Sequence, residues 1–439
     1  MTRTTFIMFL SAALLLEAGF AQTINKSKLD SLFTSLAVNN KAMGSIAISK
    51  NGQLLYSKTI GYSQYKPDRK IPSTGLSKYK IGSISKIFAA AIIFQLIEEG
   101  KISLTTTLDH YFPQYPNSAL ITISNLLNHR SGISNLTTIE SKEIPRTQEE
   151  MLTIIAEKTP KYKPDKKSFY SNSNFVLLGY VIEKICQKPY ADLLQERIVS
   201  KIGLGNTYYG HKANIEKNEC LPYKFIHDWE QQPETDLSIP GASGALVSTP
   251  TDMILFIEAL FAKKLISQHS LDQMKTITNG FGMGFLEFEF DKKKALGYTG
   301  GIDEYESVLA YFPGDSLTIA YCSNGRVYPT QSIVIGSLNI YFDKEYSIPD
   351  FKLSTLNPGP LKKYTGVYSS SEIPMRIKIS RQKQGLVAQP AGYSSYLLEA
   401  IGIDKFKNDE VSVAIEFDPK KNTLKLKWGD RSYNFIKVN

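Results

Sequence analysis

Strand patterns stand at both ends of a long helical region, and this arrangement restricts the fold of the chain more than any other feature. Near the start, residues 45–58 ("SIAISKNGQLLYSK") alternate around Asn51-Gly52, a pair typical of a two-residue hairpin turn. Residues 307–324 ("SVLAYFPGDSLTIAYCSN") contain two apolar runs joined by a Pro-Gly-Asp turn. Residues 83–270 have mainly helical and loop patterns. We therefore predict one antiparallel sheet completed by both ends, with an inserted helical region.

A second unit follows a change of composition around residue 345. Residues 347–360 ("SIPDFKLSTLNPGP") contain three prolines, and short alternating runs such as "MRIKIS", "VSVAIEF" and "TLKLKW" come after them. Alternating runs separated by turn residues are typical of a small all-β domain. We predict a linker over 343–360 and a barrel or sandwich over 361–439.

The N-terminus has the pattern of a secretory signal peptide. "MTRTTFIMFLSAALLLEAGFAQ" places Arg3 before an apolar run and small residues before Gln22, which predicts a signal peptide over 1–21. Glu17 interrupts the apolar run, which disfavours a permanent anchor, and no cysteine follows for lipid attachment. We expect an exported protein, periplasmic or secreted, with no stable membrane span after cleavage.

Charge limits the kinds of partner that we expect, and cysteine content limits the disulfides that we expect. The formal net charge is +9, but the lysines are spread along the chain, so they predict a solvated surface, and no nucleic-acid module is apparent. The three cysteines, Cys186, Cys220 and Cys322, are scattered and odd in number, which predicts core residues rather than a disulfide framework.

The segment over residues 78–104 ("KYKIGSISKIFAAAIIFQLIEEGKISL") places polar residues before an apolar helix. Ser83 and Lys86 are three residues apart and therefore share one helical face, whereas Ser85 points elsewhere. A buried lysine whose amine is neutral can deprotonate such a serine, and Gly82 allows a tight turn before it. The alternative is an N-cap serine with a lysine that extends to the surface, and the pair alone does not exclude it.

Two downstream segments can supply partners for this pair. Tyr170-Ser171-Asn172 lies in a polar turn before an apolar helix, where a tyrosine can share a proton with a lysine and an amide can orient a carbonyl. Tyr298-Thr299-Gly300-Gly301 leads from a strand into a glycine pair, and a backbone N–H there can stabilise an oxyanion. Ordinary turn, cap or bulge residues would show the same patterns.

Taken together, these motifs resemble a known superfamily. "KYKIGSISKIF", "ITISNLLNHRSGI", "YSNSNFVLLG", "GASGALVSTPTDM" and "GYTGGIDEYES" occur in the order found in the serine β-lactamases and penicillin-binding proteins, most of all in the class C β-lactamase-like group with its DD-peptidases and esterases. The resemblance covers residues 28–342. It implies an α/β (α+β) β-lactamase/transpeptidase-like fold, in which helices flank an antiparallel sheet beside a helical region. The segment "LKKYTGVY" and the runs after it resemble the lipocalin-like barrel often appended to such hydrolases.

The resemblance also implies roles for individual residues. Ser83 would be the acylated nucleophile, Lys86 and Tyr170 would share general acid–base work, and Asn172 would orient the substrate amide. Thr299 and Gly301 would lie along the substrate, with the N–H groups of Ser83 and Gly301 on the oxyanion. Tyr298 stands where the family commonly has lysine or histidine. A neutral phenol gives a substrate carboxylate a weaker hydrogen bond than a cation does.

The expected activity is hydrolysis through an acyl-enzyme on Ser83. The substrates implied are small peptides with D-amino acids, of cell-wall type, as for a D-alanyl-D-alanine carboxypeptidase or a β-lactamase-related enzyme. An esterase on the same site is the alternative, and a silent binding protein is a third. No cofactor or metal is expected, because H-E-x-x-H is absent and the histidines (His110, His129, His211, His227 and His269) stand apart.

Overall fold

The computed structural model describes residues 24–136, 141–226, 228–351, 360–382, 385–393, 395–409, 411–429 and 431–438. The predicted signal peptide over 1–21 lies outside them. Within these ranges, no helix has both the length and the apolar character needed to cross a membrane.

Along the chain, most of the helices come between the two groups of strands that form the main sheet. They are α1 Lys26–Val38, α2 Ser85–Glu98, α3 Ile123–Leu127, α4 Gln148–Ala156, α5 Asn172–Cys186, α6 Tyr190–Leu194, α7 Ser200–Ile202, α8 Pro250–Phe261, α9 Gln268–Lys275 and α10 Thr330–Tyr341.

The strands of the first unit belong to one large sheet and several small ones. They are β1 Ala42–Lys50, β2 Gln53–Ile60, β3 Tyr62–Tyr65, β4 Lys70–Pro72, β5 Tyr79–Lys80, β6 Tyr208–Tyr209, β7 Tyr223–Phe225, β8 Trp229–Gln231, β9 Leu246–Ser248, β10 Leu286–Phe290, β11 Lys293–Ile302, β12 Tyr305–Phe312 and β13 Leu317–Arg326.

The main sheet has six strands in the order β10-β11-β12-β13-β1-β2. Strands β1 and β13 pair antiparallel, with Ser45 opposite Cys322, so the N-terminal hairpin joins the C-terminal strands at the centre of the sheet. The hairpin turn has φ of 51° at Asn51 and 77° at Gly52, the conformation that this pair favours. The predicted sheet, completed by both ends of the sequence, is confirmed.

Helix α2 forms the centre of the larger core. Every residue from Ser85 to Leu96 is buried, which explains why the sequence is apolar all round rather than on one stripe. The ring of Phe88 stacks on Phe256 of α8. A helix enclosed in this way holds its first turn in a fixed position against the sheet.

The C-terminal strands close into a barrel, which decides between the two predicted all-β forms. They are β14 Gly366–Ser369, β15 Arg376–Gln382, β16 Gly385–Pro390, β17 Tyr396–Gly402, β18 Lys405–Asn408, β19 Val413–Asp418, β20 Thr423–Trp428 and β21 Arg431–Val438. Strand β14 pairs with both β15 and β21, so the barrel has no free edge.

An ion cluster joins the barrel to the first unit. The amine of Lys41, just before β1, lies 2.6 Å from Glu399 of β17 and 3.5 Å from Asp409, and its side chain is only 4% exposed. Removing one partner of a buried pair typically costs about 3–5 kcal/mol. This cluster therefore anchors the barrel to the sheet edge. We propose the predicted division into a hydrolase domain over 28–342, a linker and a barrel domain over 361–439, with α1 beginning at Lys26.

Candidate active site

Ser83 lies in a short 3-10 turn that leads into α2. The turn spans Gly82–Ile84, and Gly82 has a φ of 50°, in the left-handed region that favours glycine. Nζ of Lys86 lies 3.0 Å from Oγ of Ser83. Ser85 has a structural bond instead, since its Oγ donates to the Gly82 carbonyl at 2.7 Å. The structure thus brings Ser83, and not Ser85, to the lysine.

Lys86 is fully buried, and three oxygen atoms surround its amine. Besides Ser83 Oγ, these are Oδ1 of Asn172 at 2.8 Å and the carbonyl oxygen of Ser243 at 2.7 Å. Burial holds the pKa of Lys86 well below its ordinary value. A neutral amine has two N–H groups, which suit the amide and carbonyl oxygens, and one lone pair, which then faces the Ser83 hydroxyl. This arrangement is that of a general base.

Tyr170 contacts Ser83 from the other side. Its hydroxyl lies 2.6 Å from Ser83 Oγ and donates to Asn172 Oδ1 at 2.9 Å. Burial raises the pKa of Tyr170 to about 12, although the bond with Ser83 opposes that rise. The phenol therefore keeps its proton near neutral pH. It is suited to donate a proton to a leaving group, and the neutral amine of Lys86 is suited to act as a base.

Asn172 connects these two groups at the first residue of α5. Its Oδ1 accepts from both Lys86 and Tyr170, and its backbone N–H donates to Oδ1 of Asn135 at 2.7 Å. Because the oxygen is directed to Lys86 and Tyr170, the amide nitrogen is the group of Asn172 that can donate to a substrate carbonyl.

The glycine pair of β11 lies directly against the turn that carries Ser83. A Cβ on Gly300 would lie 1.9 Å from the Ile81 carbonyl oxygen, and a Cβ on Gly82 would lie 2.7 Å from the Gly301 nitrogen. Only glycine permits this approach of two backbones. The Gly301 N–H is thereby brought beside the Ser83 turn, which is the geometry that an oxyanion site requires.

Tyr298 and Thr299 differ in placement from the other predicted site residues. Tyr298 is 2% exposed, and its hydroxyl lies 3.3 Å from Nε2 of His129 rather than on the cavity wall. Thr299 is exposed beside a neighbouring groove, away from the cavity that contains Ser83. Substrate binding by Tyr298 and Thr299 stays a prediction; alternation along β11 turns the Tyr298 side chain into the core beside His129.

His129 supports the site without facing the cavity. It has a φ of 58°, and its Nδ1 lies 3.2 Å both from the Ser171 nitrogen and from Nδ2 of Asn174. Burial, with the nearby Lys86, lowers the pKa of His129 to about 3. The ring is therefore neutral, with Nδ1 accepting and the Nε2 proton directed at Tyr298. This buried network fixes Ser171, the residue directly before α5.

Ser83 and Asn172 face a cavity of about 260 Å³. Its walls are mainly apolar, with a few polar groups and one lysine. They consist of Ser83, Leu136, Lys142, Asn172, Val176, Thr235, Ile239, Pro240, Ser243, Gly244, Gly301 and Ile302. Among the residues that the structure describes, no cluster of His, Cys, Asp and Glu could hold a metal ion.

Several functional contacts were not predicted. The Ser243 carbonyl lies in "GASGALVSTPTDM", a segment similar to the family, but a backbone oxygen leaves no signal in residue type. The bond from the Asn172 nitrogen to Asn135 and the place of Lys142 on the cavity wall depend on loops whose path the sequence does not determine.

The chain is similar to known proteins in sequence. The family model described as Beta-lactamase matches residues 33–334. Penicillin-binding protein 4* of Bacillus subtilis (strain 168) is 25% identical over 90% of this chain and 94% of its own length. Teichoic acid D-alanine hydrolase of Staphylococcus aureus is 28% identical over 55% of this chain and 58% of its own length.

Solved structures show the same fold. An octameric penicillin-binding protein homologue from Pyrococcus abyssi superposes with a TM-score of 0.65 and 23% identity, covering 94% of this chain and all of that one. D-amino acid amidase from Ochrobactrum anthropi SV3, solved with D-phenylalanine, superposes with a TM-score of 0.66 and 23% identity, covering 72% of this chain and 99% of that one.

We predict that Lys86→Ala and Tyr170→Phe each lower kcat by at least about a hundredfold, the usual size of a general acid–base contribution. Each variant removes one proton-transfer group and leaves Ser83 in place. Steady-state rates with one activated substrate, together with circular dichroism to verify folding, are the measurement. A folded variant with the rate of the unaltered enzyme would remove that residue from the mechanism.

The directions of the two pKa shifts predict the pH profile. Because Lys86 acts as a neutral amine, kcat/KM should rise as pH increases through its lowered pKa and then stay level. The Tyr170 phenol, with a pKa of about 12, should cause no alkaline decline until about that pH. A rising limb near the ordinary lysine value of about 10.4 would contradict a neutral Lys86.

The close approach at Gly82 predicts a sharp effect of one methyl group. In Gly82→Ala the new Cβ meets the Gly301 backbone and must displace it, so kcat should fall by at least about tenfold, part of what an oxyanion donor contributes. Gly203→Ala is the matched control, since Gly203 also has a positive φ of 71° but no atom within 4 Å of its Cβ position. Equal rates in both variants would contradict this placement of the oxyanion site.

Proposed function

The chain belongs to the beta-lactamase family, and we propose that this serine hydrolase forms an acyl-enzyme on Ser83 and hydrolyses amide bonds of D-amino-acid peptides of cell-wall type. The contacts of Ser83 with Lys86 and Tyr170, beside the cavity that Ser83 and Asn172 line, support this proposal most directly. The similarity to a penicillin-binding protein and to a teichoic acid D-alanine hydrolase supports the substrate class. We further propose export, with the signal peptide over 1–21 removed.

The first half of the proposed reaction acylates Ser83. Lys86 takes the hydroxyl proton, and Oγ forms a bond to the substrate carbonyl carbon. The N–H groups of Ser83 and Gly301 stabilise the oxyanion. As the bond to the leaving group breaks, the Tyr170 hydroxyl supplies a proton to it, and the proton held by Lys86 restores the phenol. In the second half, a water molecule attacks the ester through the same groups and releases the acid.

An esterase is the second candidate, and the position of Tyr298 favours it. The phenol is buried against His129, so the segment Tyr298-Thr299-Gly300 presents no cation to a carboxylate on the leaving group. A substrate with a neutral leaving group, such as an ester or a simple amide, is then bound no more weakly than a peptide with a free C-terminus.

Chemical labelling tests the nucleophile. We predict that a fluorophosphonate or a penicillin forms an adduct on Ser83, because this hydroxyl contacts both Lys86 and Tyr170. Mass spectrometry of the digested protein locates the adduct, and Ser83→Ala is the control. An adduct on Ser85 would overturn the assignment, and no adduct at all would favour a silent binding protein.

The same preparation separates the two candidate activities. Turnover of a D-alanyl-D-alanine peptide and of a short-chain p-nitrophenyl ester should be measured side by side, each against Ser83→Ala. Ser83-dependent release of D-alanine supports the peptidase. Ser83-dependent turnover of the ester alone supports the esterase.

A further inference from the structure

Lys142 is the one charged side chain on the wall of the cavity that contains Ser83, among the described residues. Its amine pairs with Oδ1 of Asp303 at 2.8 Å, and the two partners differ in exposure: 41% for Lys142 and 2% for Asp303. The positive end of the pair is therefore open to solvent, whereas the negative end is enclosed in the protein.

Asp303 is held in place by further bonds. Thr235 donates its backbone N–H to Oδ2 at 2.9 Å and its hydroxyl to Oδ1 at 2.7 Å. The carboxylate thus has partners on both oxygens, and it lies two residues after Gly301 along the chain. An ammonium group has three N–H donors, so the bond to Asp303 fixes the direction of Lys142 and leaves donors for a ligand.

The backbone fixes the Lys142 loop as well. The Lys142 carbonyl oxygen accepts from the Asp236 nitrogen at 2.8 Å, and Oδ1 of Asp236 in turn accepts from the hydroxyl of Ser238. Another acid of this segment, Glu234, is paired with buried Lys80 at 2.8 Å. Lys142 is therefore the cation on the cavity wall, and because Asp303 is paired with it, its attraction acts mainly on a group that contacts it.

The cavity lies on one side of the oxyanion site. Gly301 borders both this cavity and a second groove, whereas Ile302 is on the wall of the cavity and Thr299, earlier on β11, is on the wall of the groove. Tyr170, the proton donor for the leaving group in the proposed reaction, is also not on this wall. A substrate with its carbonyl at Gly301 and its leaving group toward Tyr170 would therefore place its acyl half in the cavity.

From these observations we propose that the cavity is the subsite for the acyl donor and that Lys142 binds a carboxylate at the far end of that donor. This inference rests on the proposed function and adds the class of acyl group: a D-amino-acid derivative that carries an anionic substituent away from the bond to be cleaved. Apolar walls would contact the stem of the group, and Lys142 would form a charge-assisted hydrogen bond with its end.

A matched pair of substrates tests the proposal. N-succinyl-D-alanine p-nitroanilide and its N-succinamoyl counterpart have the same leaving group and nearly the same shape, but only the first has a carboxylate. We predict that the unaltered enzyme prefers the carboxylate form by about tenfold in kcat/KM, the size expected of one charge contact. The preference should decrease as salt concentration increases, since the contact is partly exposed.

Variants at Lys142 should change the preference in stated directions. The ratio of kcat/KM between the two substrates should fall to about one in Lys142→Met and persist in Lys142→Arg. In Lys142→Glu the charge of the side chain is reversed. This variant should therefore prefer an N-(3-aminopropanoyl) analogue, which carries an amine in place of the carboxylate. Lys188→Met is the control: Lys188 is also an exposed lysine in an ion pair, with Glu196, and should not affect the ratio.

The outcomes separate this inference from the proposed function. Ser83-dependent hydrolysis of both substrates with equal efficiency would overturn the role of Lys142 and leave the hydrolase proposal intact. A preference that survives in Lys142→Met would do the same and assign the carboxylate to another group. Absence of Ser83-dependent turnover with either these anilides or the p-nitrophenyl ester would instead count against the proposed function itself.

Discussion

The amine of Lys86 is buried among three oxygen atoms, and their positions determine the rest of the site. Two acceptors come from other parts of the chain: Asn172 begins α5, and the Ser243 carbonyl lies just before β9. A lysine in a rigid, apolar core cannot reach water, so the protein either supplies acceptors or the amine loses its proton. Here both occur. The burial of α2 on every side therefore affects the chemistry of the site, because a helix with an exposed face would let the amine become solvated.

The approach of β11 to the Ser83 turn is the second constraint, and it is purely steric. Backbone must lie against backbone at Gly300 and Gly82. The sheet fixes one side of this contact through the pairing of β11 with β12, and α2 fixes the other. The oxyanion site therefore depends on the position of a helix against a sheet, and the sheet in turn requires strands from both ends of the domain. This dependence explains why short motifs far apart in sequence belong to one site.

Sequence reasoning can propose site residues whose types lie close together in the chain. Ser83 and Lys86 are three residues apart, and Tyr170 and Asn172 are two residues apart, so each pair could be recognised locally. For Tyr298, sequence reasoning identified the residue type but not the direction of the side chain, which follows from the pleat of β11. It could not identify the Ser243 carbonyl, since every residue has one. Lys142 gave no pattern, because its partner Asp303 is 161 residues away and the pair forms only in the folded chain.

The charge distribution separates proton transfer from recognition. Around Lys86 the structure places neutral groups: the phenols of Tyr170 and Tyr298, an amide, and an imidazole whose pKa is lowered to about 3. A cation at position 298 would repel a proton on Lys86 and would couple substrate charge to the strength of the base. Lys142 carries its charge on the wall of the cavity, where the enclosed carboxylate of Asp303 compensates it. An anionic substrate can then be attracted to the cavity while the proton affinity of Lys86 changes little, because opposite charges in close pairs produce a field that falls off rapidly with distance.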